Sequence, residues 1–342
     1  MLDCEMFSRL ALVLTKKANE VWYKERFFTC MLTDEYKIQI SKQERYYDFS
    51  DYSEVLDMES LDCNKIDHQH IIHKIDSGMY IRALIDRYYL PDNKDYQANH
   101  ITHDVNIYGY DSTKQCFLFF EHQINNKQWG ESTIQYDAFY KAFEKGLLTL
   151  FNNNSFLDRE LYFKPIYSLR IKETDRKKPS IEHLYHEITN WLNNKQIIKT
   201  EQNDSIKTIF NYGLSIYRRI YEDFCKDLEQ GKFDYLDSFV YFFRNFLSVK
   251  EFLVDKLEFY NMKTEINFPN EYVQQAKELS LDVKRVFMLL TRYLILKETS
   301  VLNEIINRLK KAELADFRLL ESLKIHIFKH STSELSSKYK IS

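Results

Sequence analysis

The order of apolar and polar positions divides the chain into a mixed half and a helical half. Apolar residues recur at every second position in residues 79–90 and again at Val105 and Ile107. This pattern predicts a strand over residues 79–90, followed after a turn by a hairpin that runs from His103 to Glu121. The other elements predicted in this half are helices over residues 2–18, 52–61 and 134–150 and a last strand over residues 161–172.

From residue 181 onwards the apolar positions recur at helical spacing. The predicted helices cover residues 181–195, 204–229, 233–261, 270–297, 300–314 and 316–330. A polar segment from Lys172 to Ser180 separates the two halves, and Pro179 with Ser180 can begin a helix. We therefore predict an α+β fold, with a mixed domain over residues 1–175, an all-helical domain over residues 176–342, and no strand pairing across the boundary.

Composition and charge exclude several classes of protein. The chain contains only 6 Gly and 4 Pro among 342 residues, which disfavours a turn-rich all-β architecture. Its net charge of −3 does not fit a general polyanion binder, and no apolar run reaches the length that spans a bilayer. The five cysteines form no CxxC pair, and the N-terminus lacks a secretory pattern, so we expect a reduced, cytoplasmic setting.

The three closely spaced histidines His68, His70 and His73 could suggest a metal site. No Cys or carboxylate completes a tetrahedral ligand set around them in the sequence. We therefore predict a polar loop before a strand and no bound metal.

A candidate nucleophilic site combines a histidine hairpin with an N-terminal cysteine. If the turn of the hairpin centres near Ser112, His103 lies roughly opposite Glu121, where a carboxylate could orient the imidazole. Cys4 falls in the first turn of a predicted helix, where the helix dipole favours a thiolate, although a small buried cysteine explains the same pattern.

Three aspartates compete with Glu121 for the role of orienting residue. Asp104 directly follows His103 and should point to the opposite face of the strand. Asp86 more naturally supports the turn near His100, and Asp111 belongs to the hairpin turn.

Three short segments resemble one known family. They are Ile85–Pro91 (IDRYYLP), His100–His103 (HITH) and Gly109–Asp111 (GYD), which follow a cysteine at a helix N-terminus and precede a helical half. Together they resemble the family typified by butirosin biosynthesis protein H. The N-terminal domain of that family is similar to the papain-like bacteriocin-processing cysteine peptidases.

This resemblance implies acyl transfer through a thioester, with an acyl or aminoacyl group passing from a carrier-protein thioester to an amine. It implies Cys4 as the nucleophile, His103 as the general base and Glu121 as the orienting residue. Two departures from the pattern stand out. Papain-like enzymes place an oxyanion-donating Gln or Asn several residues before the cysteine, and here only three residues precede Cys4. The third catalytic residue stands in the dipeptide Glu121-His122, where the related peptidases have Asp-Pro.

The same resemblance implies no bound cofactor, because the substrate arrives on the phosphopantetheine arm of its carrier. The expected partners are an acyl or peptidyl carrier protein and an amine-bearing small molecule, with a homodimer left open, and neither nucleic acid nor membrane. Two alternatives stay open at this point. One is a peptidase or amide hydrolase of the same fold, and the other is a catalytically silent scaffold that binds a partner.

Overall fold

The computed structural model describes most of the chain, and every structural statement here refers to that part. The described residues are 10–26, 30–33, 38–40, 52–127, 129–152, 165–193, 196–200, 207–224, 230 and 236–339. The strands are β1 (Cys30–Thr33), β2 (Ile38–Ile40), β3 (Leu56–Ser60), β4 (Tyr80–Asp86), β5 (Thr102–Asp111), β6 (Cys116–His122), β7 (Trp129–Gln135), β8 (Ile166–Ile171), β9 (Gln196–Thr200) and β10 (Lys207–Tyr212). The α-helices are α1 (Glu20–Glu25), α2 (His68–Asp76), α3 (Tyr136–Asn152), α4 (Ile181–Leu192), α5 (Ser215–Arg218), α6 (Leu236–Lys263), α7 (Asn270–Leu296) and α8 (Thr299–Tyr339).

The chain divides into two compact units, and the α+β class is confirmed. One unit contains the described residues of 10–19 and 52–174, and the other contains those of 20–40 and of the chain after Thr174. The division after Thr174 lies next to the predicted boundary, but residues 20–40 group with the C-terminal half. The prediction that no sheet crosses this boundary is wrong, because β1 pairs with β10.

The first unit is built on a six-stranded antiparallel sheet in the order β3-β8-β4-β5-β6-β7. Two of its strands were not predicted. The short helix predicted over residues 52–61 is wrong, because Leu56–Ser60 pairs with β8 as an edge strand. Trp129–Gln135 pairs with β6 and delays the start of the following helix to Tyr136. In both cases pairing with a neighbouring strand outweighs a local helical pattern.

One face of this sheet carries an apolar core that α3 covers. The fully buried residues of this core include Ile81, Ala83, Ile85, Val105, Ile107, Phe117, Phe119, Phe139 and Ala142. Gly146 lets α3 approach β4 closely, because a Cβ at this position would lie 3.0 Å from the Cα of Ile85. The alternation predicted for β4 and β5 is therefore the alternation between core and opposite face.

The second unit combines a small sheet with long helices. Its sheet has the antiparallel order β2-β1-β10-β9, so the helix predicted over residues 204–229 is wrong and the C-terminal half is not all-helical. The two helices predicted over 300–314 and 316–330 form the single helix α8. None of the helices in the described part of the chain is both long and apolar enough to cross a lipid bilayer.

Two lysines of α6 are fully buried in the second unit, and each is paired with a carboxylate. The Nζ of Lys250 contacts Asp316 and lies 4.5 Å from the ring centre of Trp191. The Nζ of Lys256 lies 2.8 Å from Glu187 Oε2 and donates to the backbone oxygen of Glu25 at 2.6 Å. Buried charges are costly unless they are paired, so these contacts are required for the helical packing.

Candidate active site

His103 lies at the end of the core face, one residue into β5. It pairs with Ile85 of β4 and shares its face with Val105 and Ile107, as strand alternation predicted. Its side chain is 20% exposed, whereas Val105 and Ile107 are buried. The sequence therefore places a partly accessible imidazole where the apolar core meets the edge of the unit.

The Glu121 carboxylate lies beside this imidazole. Glu121 Oε1 is 2.8 Å from His103 Nδ1, and the Glu121 side chain is 1% exposed. The prediction places His103 roughly opposite Glu121, but the two are offset. The turn centres between Thr113 and Lys114 rather than near Ser112, since the ladder pairs Asp111 with Cys116 and, after a register shift between Ile107 and Gly109, Asn106 with Phe120. Continuing that register places Glu121 diagonal to His103, a separation that a long side chain can cross.

Arg87 and Asn93 fix the Glu121 carboxylate from the other side. Arg87 donates to Oε1 through Nε at 3.1 Å and through Nη2, while Asn93 Nδ2 donates to Oε2 at 2.8 Å. The guanidinium provides the counter-charge that a buried carboxylate requires. Sequence reasoning missed both residues, although Arg87 lies within the IDRYYLP segment that supported the family resemblance.

Strained loops surround this cluster. Asp92, Gln97, Gln123, Asn125 and Asn126 all have positive φ angles, between 51° and 63°, in the two loops beside β4 and β6. These loops are joined by backbone hydrogen bonds, among them the one from the Asn125 amide to the Asp92 carbonyl at 2.8 Å. Left-handed conformations of non-glycine residues cost free energy and cluster at functional sites. Their concentration beside Glu121 marks this end of the sheet as the candidate site.

No protein-family model matches the chain, and a search of curated proteins found no match either. Function is therefore inferred from the geometry and chemistry of the site.

The competing aspartates have other contacts. Asp104 binds the Arg82 guanidinium, with Oδ2 at 3.1 Å from both Nε and Nη2, on the face opposite His103. Asp111 accepts from the amides of Thr113 and Lys114 in the hairpin turn, and the Lys114 amide lowers the pKa of its carboxyl. The prediction that Asp104 points away from His103 is confirmed.

Asp86 supports the turn near His100, as predicted. Its Oδ1 accepts from the Tyr88 amide at 3.0 Å, and its Oδ2 lies 2.6 Å from His100 Nδ1. The site therefore contains a second imidazole–carboxylate pair. His100 lies three residues before His103, and Asp86 directly precedes Arg87.

The predicted nucleophile Cys4 lies outside the described residues, so its distance from His103 stays untested. Of the other cysteines whose side chains are described, Cys116 is buried in β6 and Cys63 is partly exposed, and neither forms a disulfide. His68, His70 and His73 lie on α2 rather than in the predicted loop, and within the described part of the chain no group of side chains is arranged to hold a metal ion.

His122 adds a third imidazole, and its environment keeps it neutral. Its ring centre lies 6.4 Å from that of His103 and 5.2 Å from that of Trp129. Burial, followed by the nearby Arg87 charge, lowers the pKa of His122 to about 4. Sequence reasoning did not assign this residue a role.

We expect an NMR titration of histidine ring protons to give a midpoint near pH 4 for His122, assigned with a His122→Asn variant. Since the folded-state pKa lies below the unfolded value of about 6.5, the unfolded chain binds the proton first. The stability that His122 contributes should therefore decrease as the pH falls from about 6.5 towards 4. A midpoint near 6.5 in the folded protein would contradict the burial of this ring.

Proposed function

We propose that the protein is a cysteine-dependent acyl or aminoacyl transferase that forms an amide from a carrier-bound thioester. In this proposal Cys4 is the nucleophile, His103 the general base and Glu121 the residue that orients the base. The observation that carries it is the 2.8 Å approach of Glu121 to His103 Nδ1, with Arg87 and Asn93 bound to the same carboxylate.

The surroundings of His103 set its tautomer. Nδ1 lies 3.1 Å from the Asp104 carbonyl oxygen and 2.8 Å from Glu121 Oε1, and both groups can only accept. The ring proton of a neutral imidazole is therefore stabilised on Nδ1, which leaves the lone pair on Nε2. This is the tautomer that a general base needs in order to take a proton from a thiol.

The proposed reaction proceeds through an acyl-enzyme. His103 takes the thiol proton, the Cys4 sulfur attacks the thioester carbonyl, and the carrier thiol leaves with the proton from His103. A neutral amine then attacks the thioester on Cys4, and the C–S bond breaks as the C–N bond forms. His103 carries the proton from the nitrogen to the Cys4 sulfur, and the amide leaves. In this proposal, backbone N–H groups at the start of the helix predicted to contain Cys4 would stabilise the oxyanion.

The proposal includes a papain-like arrangement for the first unit. An antiparallel sheet with a histidine at the start of one strand and its carboxylate on the next strand supports it. The acyl donor would be a carrier protein with a phosphopantetheine arm, and the acceptor an amine-bearing small molecule. Water as the acceptor would give the hydrolase of the same fold.

Acyl-enzyme formation tests this function directly. When the protein is incubated with an N-acetylcysteamine thioester, intact-mass spectrometry should show one added acyl group, located on Cys4 by peptide mapping. Cys4→Ala should abolish the adduct, whereas the matched variant Cys63→Ala should retain it. An adduct on Cys63, or no adduct on the wild-type protein, would contradict the proposal and favour a silent scaffold.

A further inference from the structure

His100 and Asp86 form a buried-carboxylate pair that the proposed Cys4–His103–Glu121 site does not use. Asp86 is 2% exposed, and its Oδ2 lies 2.6 Å from His100 Nδ1. The other oxygen is occupied by the Tyr88 amide, so the carboxylate is fixed within a short helical turn over Arg87–Tyr89. A carboxylate in this position accepts the Nδ1 proton and leaves the lone pair of the neutral ring on Nε2.

The imidazole of His100 is held in place but remains open to solvent. Its ring stacks on Tyr88 with centres 4.2 Å apart and planes 12° apart, and Tyr89 lies 6.3 Å away on centres. The His100 side chain is nevertheless 60% exposed. Stacking and a carboxylate partner fix the orientation of a ring that is more than half exposed.

The second pair is tied to the first through consecutive backbone positions. Asp86 contacts His100, and the next residue, Arg87, contacts Glu121, which lies beside His103. The Arg87 amide also donates to the Ile101 carbonyl at 2.9 Å, between the two histidines. Three residues of extended chain span at most about 10 Å, so the two imidazoles belong to the same end of the sheet.

We propose that His100 is the base that deprotonates the acceptor amine, with Asp86 as its positioning residue. This inference rests on the proposed acyl transfer and specifies its second half. The ammonium form of the acceptor gives a proton to His100 Nε2, and the resulting amine attacks the acyl group on Cys4. The C–S bond breaks as the C–N bond forms. His103 takes the second proton from the attacking nitrogen and gives it to the Cys4 sulfur, and solvent takes the first proton from His100.

The chemistry of amines explains why such a base is needed. A primary alkylamine has a pKa near that of a lysine side chain, about 10.4, so only about 0.1% is the free nucleophile at pH 7.5. Water is already neutral at this pH, so no proton has to be removed from it before it can approach the acyl group. A base dedicated to the acceptor therefore favours transfer to an amine over hydrolysis, and general-base assistance is typically worth about 10²–10⁴-fold.

The surroundings of His100 suit a cationic acceptor. The buried Asp86 carboxylate supplies negative charge at the Nδ1 edge of the ring. The Tyr89 ring already has the Lys141 ammonium 5.1 Å from its centre, which shows that an aromatic face at this place accepts a cation. Tyr96 and Ile101, on either side of His100 in sequence, are 42% and 40% exposed. The ligand class that this surface recognises is a primary amine on a small, partly apolar molecule.

The test compares amide and acid products from one thioester. The wild-type protein and a His100→Gln variant would be mixed with an N-acetylcysteamine thioester and ethanolamine, and both products quantified between pH 6.5 and 10. In His100→Gln we expect unchanged acylation of Cys4, unchanged hydrolysis, and an amide yield lowered about 10²-fold at neutral pH. The amide yield should recover as the pH approaches the pKa of the amine, which a purely structural role would not produce.

Two further variants sharpen the result. Asp86→Asn can still accept from the Tyr88 amide and should lower the amide-to-acid ratio in the same direction, whereas His70→Gln, on the exposed part of α2, should leave it unchanged. Normal acylation with an unchanged ratio in His100→Gln would overturn the assignment of His100 alone. Absence of acylation in the wild-type protein would overturn the proposed function and this inference with it.

Discussion

Replacing His103 by alanine is expected to lower the rate of Cys4 acylation by about 10²–10⁴-fold, the usual contribution of a general base. The reason is that the imidazole whose Nδ1 faces Glu121 Oε1 at 2.8 Å is the group proposed to take the thiol proton. The rate of mass increase with a thioester substrate measures the effect. Because His103 is partly exposed, the variant should keep the wild-type circular dichroism spectrum.

The Glu121→Asp variant tests whether the carboxylate acts by orienting the His103 ring or only by its negative charge. Aspartate keeps the negative charge beside Arg87, but its shorter side chain should not cross the diagonal to His103. We expect acylation at a rate between those of the wild-type protein and His103→Ala. Wild-type rates in both variants would show that this pair has no part in the chemistry.

Lys256→Ala is expected to lower the free energy of unfolding of the second unit by about 3–5 kcal/mol, measured by urea denaturation. Lys256 is 0% exposed, and its removal leaves the Glu187 carboxylate, 9% exposed, without its ammonium partner. Burial lowers the pKa of Lys256, while the Glu187 charge opposes that shift. The cost comes chiefly from the buried carboxylate, which keeps only the His183 imidazole at 3.5 Å, rather than from lost packing.

Two matched variants identify the cause. The double variant Lys256→Met, Glu187→Leu removes both charges and should recover most of the lost stability. Lys277→Ala breaks an ion pair with Glu258 in which both side chains are about half exposed, and should cost less than about 1 kcal/mol. Equal losses of unfolding free energy in Lys256→Ala and Lys277→Ala would contradict the claim that the buried Lys256–Glu187 pair is required for stability.

The neighbourhood of His103 and Glu121 could be predicted because a hairpin is a local structure. Alternation in β5 and β6 fixes the face on which each residue lies, and the turn between them brings the strands together. The register was predicted wrongly because the turn centres between Thr113 and Lys114 rather than near Ser112. Gly109 inside the strand pattern is a signal for the register shift between Ile107 and Gly109, and the prediction did not use it. The diagonal position of Glu121 offers a reason for glutamate in place of aspartate, since the longer side chain is needed to reach His103.

Arg87 and Asn93 were missed because their contacts depend on loops rather than on periodic elements. Asn93 reaches Glu121 through a loop in which Asp92 and Gln97 adopt left-handed conformations without being glycines. Contacts with neighbouring backbone segments impose these conformations, so the local sequence does not predict the contact between Asn93 and Glu121.

The small sheet of the second unit was missed for a related reason. Residues 207–212 form β10 by pairing with β1, whose residues lie far away in the sequence. Strand formation depends on the partner and on burial more than on intrinsic propensity. By contrast, α6 and α7 match their predicted limits within three residues at either end, because a long amphipathic stripe defines a helix locally.

The pH dependence of Cys4 alkylation tests the central claim most directly. Iodoacetamide labelling would be followed by peptide mapping from pH 4 to 10 in the wild-type protein and in His103→Ala. A thiolate paired with His103 should label with a midpoint between about pH 3.5 and 7.5, and the midpoint should move towards about 8.5 in His103→Ala. A wild-type midpoint near 8.5, unchanged in His103→Ala, would contradict a Cys4–His103–Glu121 site.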